Sequence, residues 1–232
     1  MARTLSLGTT TNLRDEASRK LTRALLTCGV IAGTFFILVG AIELAIRPGF
    51  DIRVNVLSQM SLGDLGWIQV ANFLVSGLLV LACAVGLRRV LAPGRGATWG
   101  PILVGLYGAG LFVAAFFSAD PGFGFPPGAP AGAPSTLSDH GFVHFLASGM
   151  AFVGLIAACF VFARRFRSLG QRAWSTYSLV TGIIFLGGYL AVMIEAGQVG
   201  FALPLWIAIT LAWIWLSALA ASLLVADVDG AP

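Results

Sequence analysis

The sequence predicts an all-α fold: a polytopic membrane helical bundle of six transmembrane helices with both termini cytoplasmic. Three observations predict it. Of the 232 residues, 58% are hydrophobic and only 10% are charged, with a mean hydropathy of +0.91, a balance outside the range of soluble domains. The apolar residues gather into six runs, each near the roughly 20 residues that a helix needs to cross a bilayer. Lys and Arg fall almost wholly into alternate connections between those runs, the pattern that orients membrane proteins.

The first element is a polar stretch, residues 1–23, read as a cytoplasmic N-terminal tail carrying Arg3, Arg14, Arg19, Lys20 and Arg23, with Asp15 and Glu16 among them. The run at about 24–46 is longer than the apolar core of a secretory signal and lacks its small-residue cleavage site, so it is expected to be a retained first helix. Residues 17–26 are expected to continue that helix along the interface. Further spans are predicted at about 68–91, 99–119, 139–163, 174–194 and 203–226, which closes a transmembrane domain of 24–226 before a short cytoplasmic tail at 227–232. Backbone groups cannot stay unpaired in hydrocarbon, and runs this long without strict alternation exclude a barrel. Pro101 and Pro204 fall in first helical turns, where a missing amide donor costs little, and Trp67, Trp99, Trp174 and Trp206 fall near helix ends, as interfacial anchors should.

Charge fixes the orientation. Arg88, Arg89 and Arg95 lie in the second connection, and Arg164, Arg165, Arg167 and Arg172 in the fourth; with the five of the tail they make twelve of the fourteen Lys and Arg. Only Arg47 and Arg53 fall on the other side. The expected location is therefore the plasma membrane, multi-pass, with the first, third and fifth connections outside. The net charge of +4 reflects these clusters, which suit anionic lipid headgroups and give no reason to expect nucleic acid. Cys28, Cys83 and Cys159 each sit inside an apolar run without a Cys-x-x-Cys pair, and are expected to be buried small residues.

The same topology sorts the acids. Glu43, Asp51, Asp64, Asp120, Asp139 and Glu195 fall at or near the outer face. There the first connection, 47–67, interleaves apolar and polar residues over a length that suits a short amphipathic helix or a lid. Residues 121–134 are rich in Pro and Gly and predict an irregular segment, with Phe123 and Phe125 resting among headgroups. Ser135 to Ser138 then offer N-caps for the fourth helix, and Asp139 suits its dipole.

After the first helix the chain reads Arg47-Pro48-Gly49-Phe50, then Asn55-Val56-Leu57-Ser58-Gln59-Met60-Ser61-Leu62-Gly63, Trp67, Asn72-Phe73 and Gly77, followed by an Asp ending the third helix and a His opening the fourth. In order and spacing this resembles the bacterial domain-of-unknown-function 998 family of six-helix membrane proteins, from about Gly29 onward. The resemblance implies the six-helix topology and a polar first external loop, and brings no established chemistry.

Both histidines, His140 and His144, stand four apart at the start of the fourth helix, one turn apart on one face. With Asp120 they are the candidates for catalysis and for a Zn²⁺ site, since two imidazoles and a carboxylate can hold an ion that activates water. The order Ser58, Asp120, His140, His144 is loosely similar to intramembrane hydrolases of the alkaline ceramidase type, although a histidine short. Structural hydrogen bonding, or binding of a proton or headgroup, is the competing reading. Glu43 is expected to pair with Arg47 one turn on, or else to face a central pocket; Glu195 is a rim or a solvated helix end. Ligand-binding candidates are thus Glu43, Ser58, Asp120, His140, His144 and Glu195. The leading expectation is a protein that binds a lipid headgroup, small amphiphile or membrane partner, a second copy included, through an external polar pocket. A metal-dependent hydrolase of outer-leaflet lipid is the alternative and a proton-coupled carrier the third.

Overall fold

In the computed structural model the backbone is described for residues 2–195 and 198–228, and side chains for 13–194 and 198–226. Six long helices carry the fold: α1 (Ala2–Ile46), α2 (Gly66–Leu91), α3 (Trp99–Phe116), α4 (Asp139–Ser168), α5 (Arg172–Glu195) and α6 (Leu203–Val228). A 3₁₀ turn, Leu57–Ser61, lies between the first two, and no strand occurs among the described residues. All six helices are long and apolar enough to cross a membrane. The chain is a multi-pass, all-helical membrane protein.

The helices form a closed ring in chain order, each packed on its sequence neighbours and α6 closing against α1. Short connections impose antiparallel pairing on α2 with α3, α4 with α5 and α5 with α6. Tyr107, Phe162, Phe185, Trp213 and Trp215 fill the interior, while Leu38, Val85, Ile102, Val153, Ile183 and Ile207 stand exposed on the outside, where hydrocarbon would cover them. Because both faces are apolar, helical periodicity says little about which side is core. Close approach of α1 to its neighbours depends on Gly29 and Gly33: a Cβ at Gly29 would lie 2.3 Å from Cys83 Sγ, and one at Gly33 would lie 2.3 Å from Ser217 Oγ. Several buried polar groups are bonded within the bundle, as in α2, where Asn72 Nδ2 donates to Gln69 Oε1 (3.0 Å) and Ser76 Oγ to Asn72 Oδ1 (3.2 Å).

Three boundaries differ from the sequence reading. The first helix starts at Ala2, well before both the span expected from about residue 24 and its expected continuation over 17–26. Its polar turns are pinned to α2, because Arg89 donates from Nε to Thr22 Oγ1 (2.8 Å) and from Nη2 to Ser18 Oγ (2.7 Å). Continuing to Ser168, α4 carries Arg164, Arg165 and Arg167 in its last turns rather than in a connection, where they suit the negative end of the helix dipole. Meanwhile α3 ends at Phe116, three residues short of Ala119, and its 18 residues span about 27 Å, close to the hydrocarbon thickness.

At one end, the connections 47–65 and 117–138 fold together into a lid. Gln59 Nε2 donates to Gly122 O (3.0 Å), Asn55 Nδ2 to Phe123 O (3.3 Å), and Trp206 Nε1 to Asn55 O (2.9 Å). The proline-rich segment is turned inward rather than laid among headgroups. Phe125 is 2% exposed, edge-on to Phe50 with centroids 5.0 Å apart, and Phe123 packs on Phe201 at 5.1 Å. Phe123 N donates to Gly132 O (2.9 Å) and Gly124 N to Pro130 O (2.8 Å), so the segment closes on itself. Trp67 and Trp99 are exposed near helix ends as anchors should be; Trp206 instead turns inward to hold the lid.

Candidate functional site

The lid end gains its geometry from the entrance to α4. Ser138 is the N-cap, its Oγ accepting from Gly141 N (3.0 Å), which satisfies one of the amides that a helix start leaves free. Asp120, just beyond α3, braces this cap: Oδ2 accepts from Ser138 N (3.0 Å) and Oδ1 from Ser138 Oγ (2.6 Å). The bond joins the ends of α3 and α4 across the 117–138 connection.

Both histidines meet Phe117, the C-cap of α3, but in different ways. The Nδ1 of His144 lies 2.7 Å from Phe117 O. A carbonyl can only accept, so Nδ1 carries the proton and Nε2 keeps its lone pair in the neutral ring. His140, exposed, lays its ring on that of Phe117 with centroids 5.2 Å apart. Helical spacing does put them on one face, yet one imidazole is 5% exposed in the bundle and the other is at the surface. Among the described residues, no three His, Cys, Asp or Glu side chains converge into a set that could hold a metal ion.

Behind this entrance lies a cavity of about 260 Å³ in the lid-end half of the bundle. That is many times the roughly 10–15 Å³ that one water needs on such a measure. Asp120, His144, Ser58 and Gln59 contribute polar groups at its lid end; Tyr107, Leu111, Phe152 and Leu205 are among the walls farther in. Phe145 of α4 and Met193 of α5 also line it, and are 50% and 42% exposed on the flank of the ring, so it reaches the surface between those helices.

The remaining candidates fall elsewhere. Ser58 lines the cavity, but His140 and Glu43 do not. Glu43 is fully buried and neither carboxylate oxygen has a hydrogen-bond partner. The expected pair with Arg47 is not made: the Arg47 Nη2 donates to Met60 O (2.8 Å) and to Leu62 O, and the guanidinium lies 5.2 Å from the Phe125 ring centroid. Burial pushes the Arg47 pKa down, opposed by the charges of Glu43 and Asp64. The side chain of Glu195 lies outside the described residues.

A family described as a protein of unknown function (DUF998) matches residues 30–222, which take in the last part of α1, the lid, all of α2 to α5 and most of α6. The chain belongs to the DUF998 family. No curated protein and no solved structure matches it. In this DUF998 protein, sequence reasoning overlooked Gln59, Tyr107 and Gly141. Tyr107 lies inside an apolar run with nothing to mark it, and Gly141 matters only because of Asp120. Gln59 was visible as part of the family-like stretch, but its contact with Gly122 crosses 63 positions.

Proposed function

We propose that this protein binds one amphiphile at a time, its chain in the cavity and its head at the lid-end rim near Asp120, His144 and Ser58. The observation that carries the reading is a single cavity walled mainly by apolar side chains, with Asp120, His144, Ser58 and Gln59 at its lid end and Tyr107, Ser148 and Tyr189 as the polar residues farther in. Ligand sites have this form, because apolar walls supply affinity and a few polar groups supply orientation. The reading includes a plasma-membrane setting in a bacterium, with the lid end outside, supported by the twelve-to-two distribution of Lys and Arg. Exposed Arg164 and Arg167 at the other end suit anionic headgroups.

Less supports the hydrolase. Asp120 spends a bond from each oxygen on Ser138, and His140 is exposed at the surface, outside the cavity that His144 lines. Ser58 has no hydrogen bond to a base among the described residues, so its hydroxyl lacks an activating partner. The carrier reading needs the buried acid and the histidines as proton sites along one path, yet Glu43 and His140 lie off the cavity that His144 lines.

Native mass spectrometry of protein extracted in mild detergent tests the proposal. Ser148 lines the cavity and Leu146 is 50% exposed on the outer face. Wild type and Leu146→Phe should retain a bound lipid-sized adduct, and Ser148→Phe should lose it. Equal retention by the two variants, or none by wild type, would refute the cavity as a binding site.

A further inference from the structure

Resting on the cavity reading, the charge around its rim narrows the class of occupant. Among the described residues that line it, Asp120 is the one side chain of fixed charge, with no Lys or Arg in the lining. The start of α4 offers about half a positive charge, against which stand two carboxylates, Asp120 and the exposed Asp139 in the first turn. Both lid arginines are already engaged: Arg47 holds Met60 O and Leu62 O under cover, and Arg53 pairs with Asp51 at 2.7 Å. The rim is therefore short of positive charge and long on acceptors. Each Asp120 oxygen has a lone pair beyond its bond to Ser138, and His144 keeps Nε2 as an acceptor. The aromatic residues Phe123, Phe145 and Tyr189 line the same cavity, and a ring face turned toward the head would favour a cation over an anion.

Access points to the bilayer. The lid is tied across the bundle end by Gln59 to Gly122 (3.0 Å) and Trp206 to Asn55 (2.9 Å), with Leu137 the exposed lining residue on that side, whereas Phe145 and Met193 line the cavity half-exposed on the flank between α4 and α5, the side that hydrocarbon would cover. We infer that the occupant is a single-chain amphiphile with a cationic, hydrogen-bond-donating head, an alkylammonium, entering sideways from the leaflet at the lid end. Its ammonium group sits at Asp120 and its chain runs past Phe152 toward Tyr107.

The test uses full-length protein in nanodiscs of phosphatidylcholine and three probes of equal chain, dodecylammonium, dodecanol and dodecanoate. Each competes against a photoreactive alkylamine, with occupancy expressed per mole fraction in the bilayer so that partitioning cancels. Dodecylammonium should compete at least tenfold better than dodecanol, dodecanoate should be weakest, and Ser148→Phe should abolish labelling. Dodecanol or dodecanoate matching the ammonium would overturn the charge assignment while leaving the cavity reading intact. No displaceable labelling at all would overturn both. The preference is read in the wild-type protein, so it does not depend on any variant folding.

Discussion

The carboxylate of Asp120 occupies the volume that a side chain at position 141 would need: a Cβ built on Gly141 would lie 1.9 Å from Asp120 Oδ2. Gly141 is the third residue of α4, and its amide is the one capped by Ser138. The absence of a side chain there is what lets a residue beyond α3 reach over the start of α4. This contact fixes the polar end of the cavity.

Gly141→Ala should therefore destabilise the protein, against the usual trend. Alanine in a helix is ordinarily favoured over glycine by about 1 kcal/mol. Here the clash drives Asp120 off Ser138, and a loss of about 1–3 kcal/mol is expected. Thermal unfolding in detergent reads it; a raised midpoint would mean that Asp120 does not hold this position.

Ser138 and Asp120 should behave as one unit. Ser138→Ala removes the cap and the donor to Asp120 Oδ1, costing about 1 kcal/mol. Adding Asp120→Ala should cost less in that background than in wild type, since bonded neighbours are not additive. A double-mutant cycle of unfolding midpoints measures this, and strict additivity would contradict the bracing.

Glu43 contributes no hydrogen bond through its carboxylate, so Glu43→Gln should leave the unfolding midpoint unchanged or higher. A marked loss would indicate an ion pair with Arg47. Arg47→Met, by contrast, removes two bonds to lid carbonyls and the contact with Phe125. Hydrogen exchange should then quicken in residues 57–62 while the centres of α2 and α3 stay protected.

How far the sequence could reach differs by element. Run length and Lys/Arg asymmetry made the six helices legible, because the hydrocarbon slab imposes one length on all of them. The end of α4 was misjudged because Arg164 and Arg165 look like a connection, whereas a helix can run past the membrane with basic residues at its end. Spacing correctly put His140 and His144 on one face; the depth of Phe117 between them decided that only His144 is buried. Arg47 had an acid one turn away, yet the 3₁₀ turn brought carbonyls that no local pattern could announce. Gly141 and Asp120 are twenty-one positions apart, and only three-dimensional proximity gives the glycine its role.

The lid entrance should loosen in acid. Hydrogen bonds from the Arg53 side chain and backbone hold the Asp51 carboxyl below its ordinary pKa. A group depressed on folding stabilises above its unfolded pKa, and that contribution is lost as pH falls through the folded value. The pair is solvent-exposed, so the effect is local and small. Exchange at residues 51–55 should accelerate below the usual carboxylate range in wild type, but not in Asp51→Asn, where it should be fast throughout.

The most direct measurement of the central claim is a cryo-electron microscopy map of the full chain in lipid nanodiscs. Elongated density running from Asp120 and His144 past Phe152 toward Tyr107, continuous with the bilayer between α4 and α5, is the predicted result. A cavity filled by its own side chains, or occupied only by isolated waters, would contradict amphiphile binding.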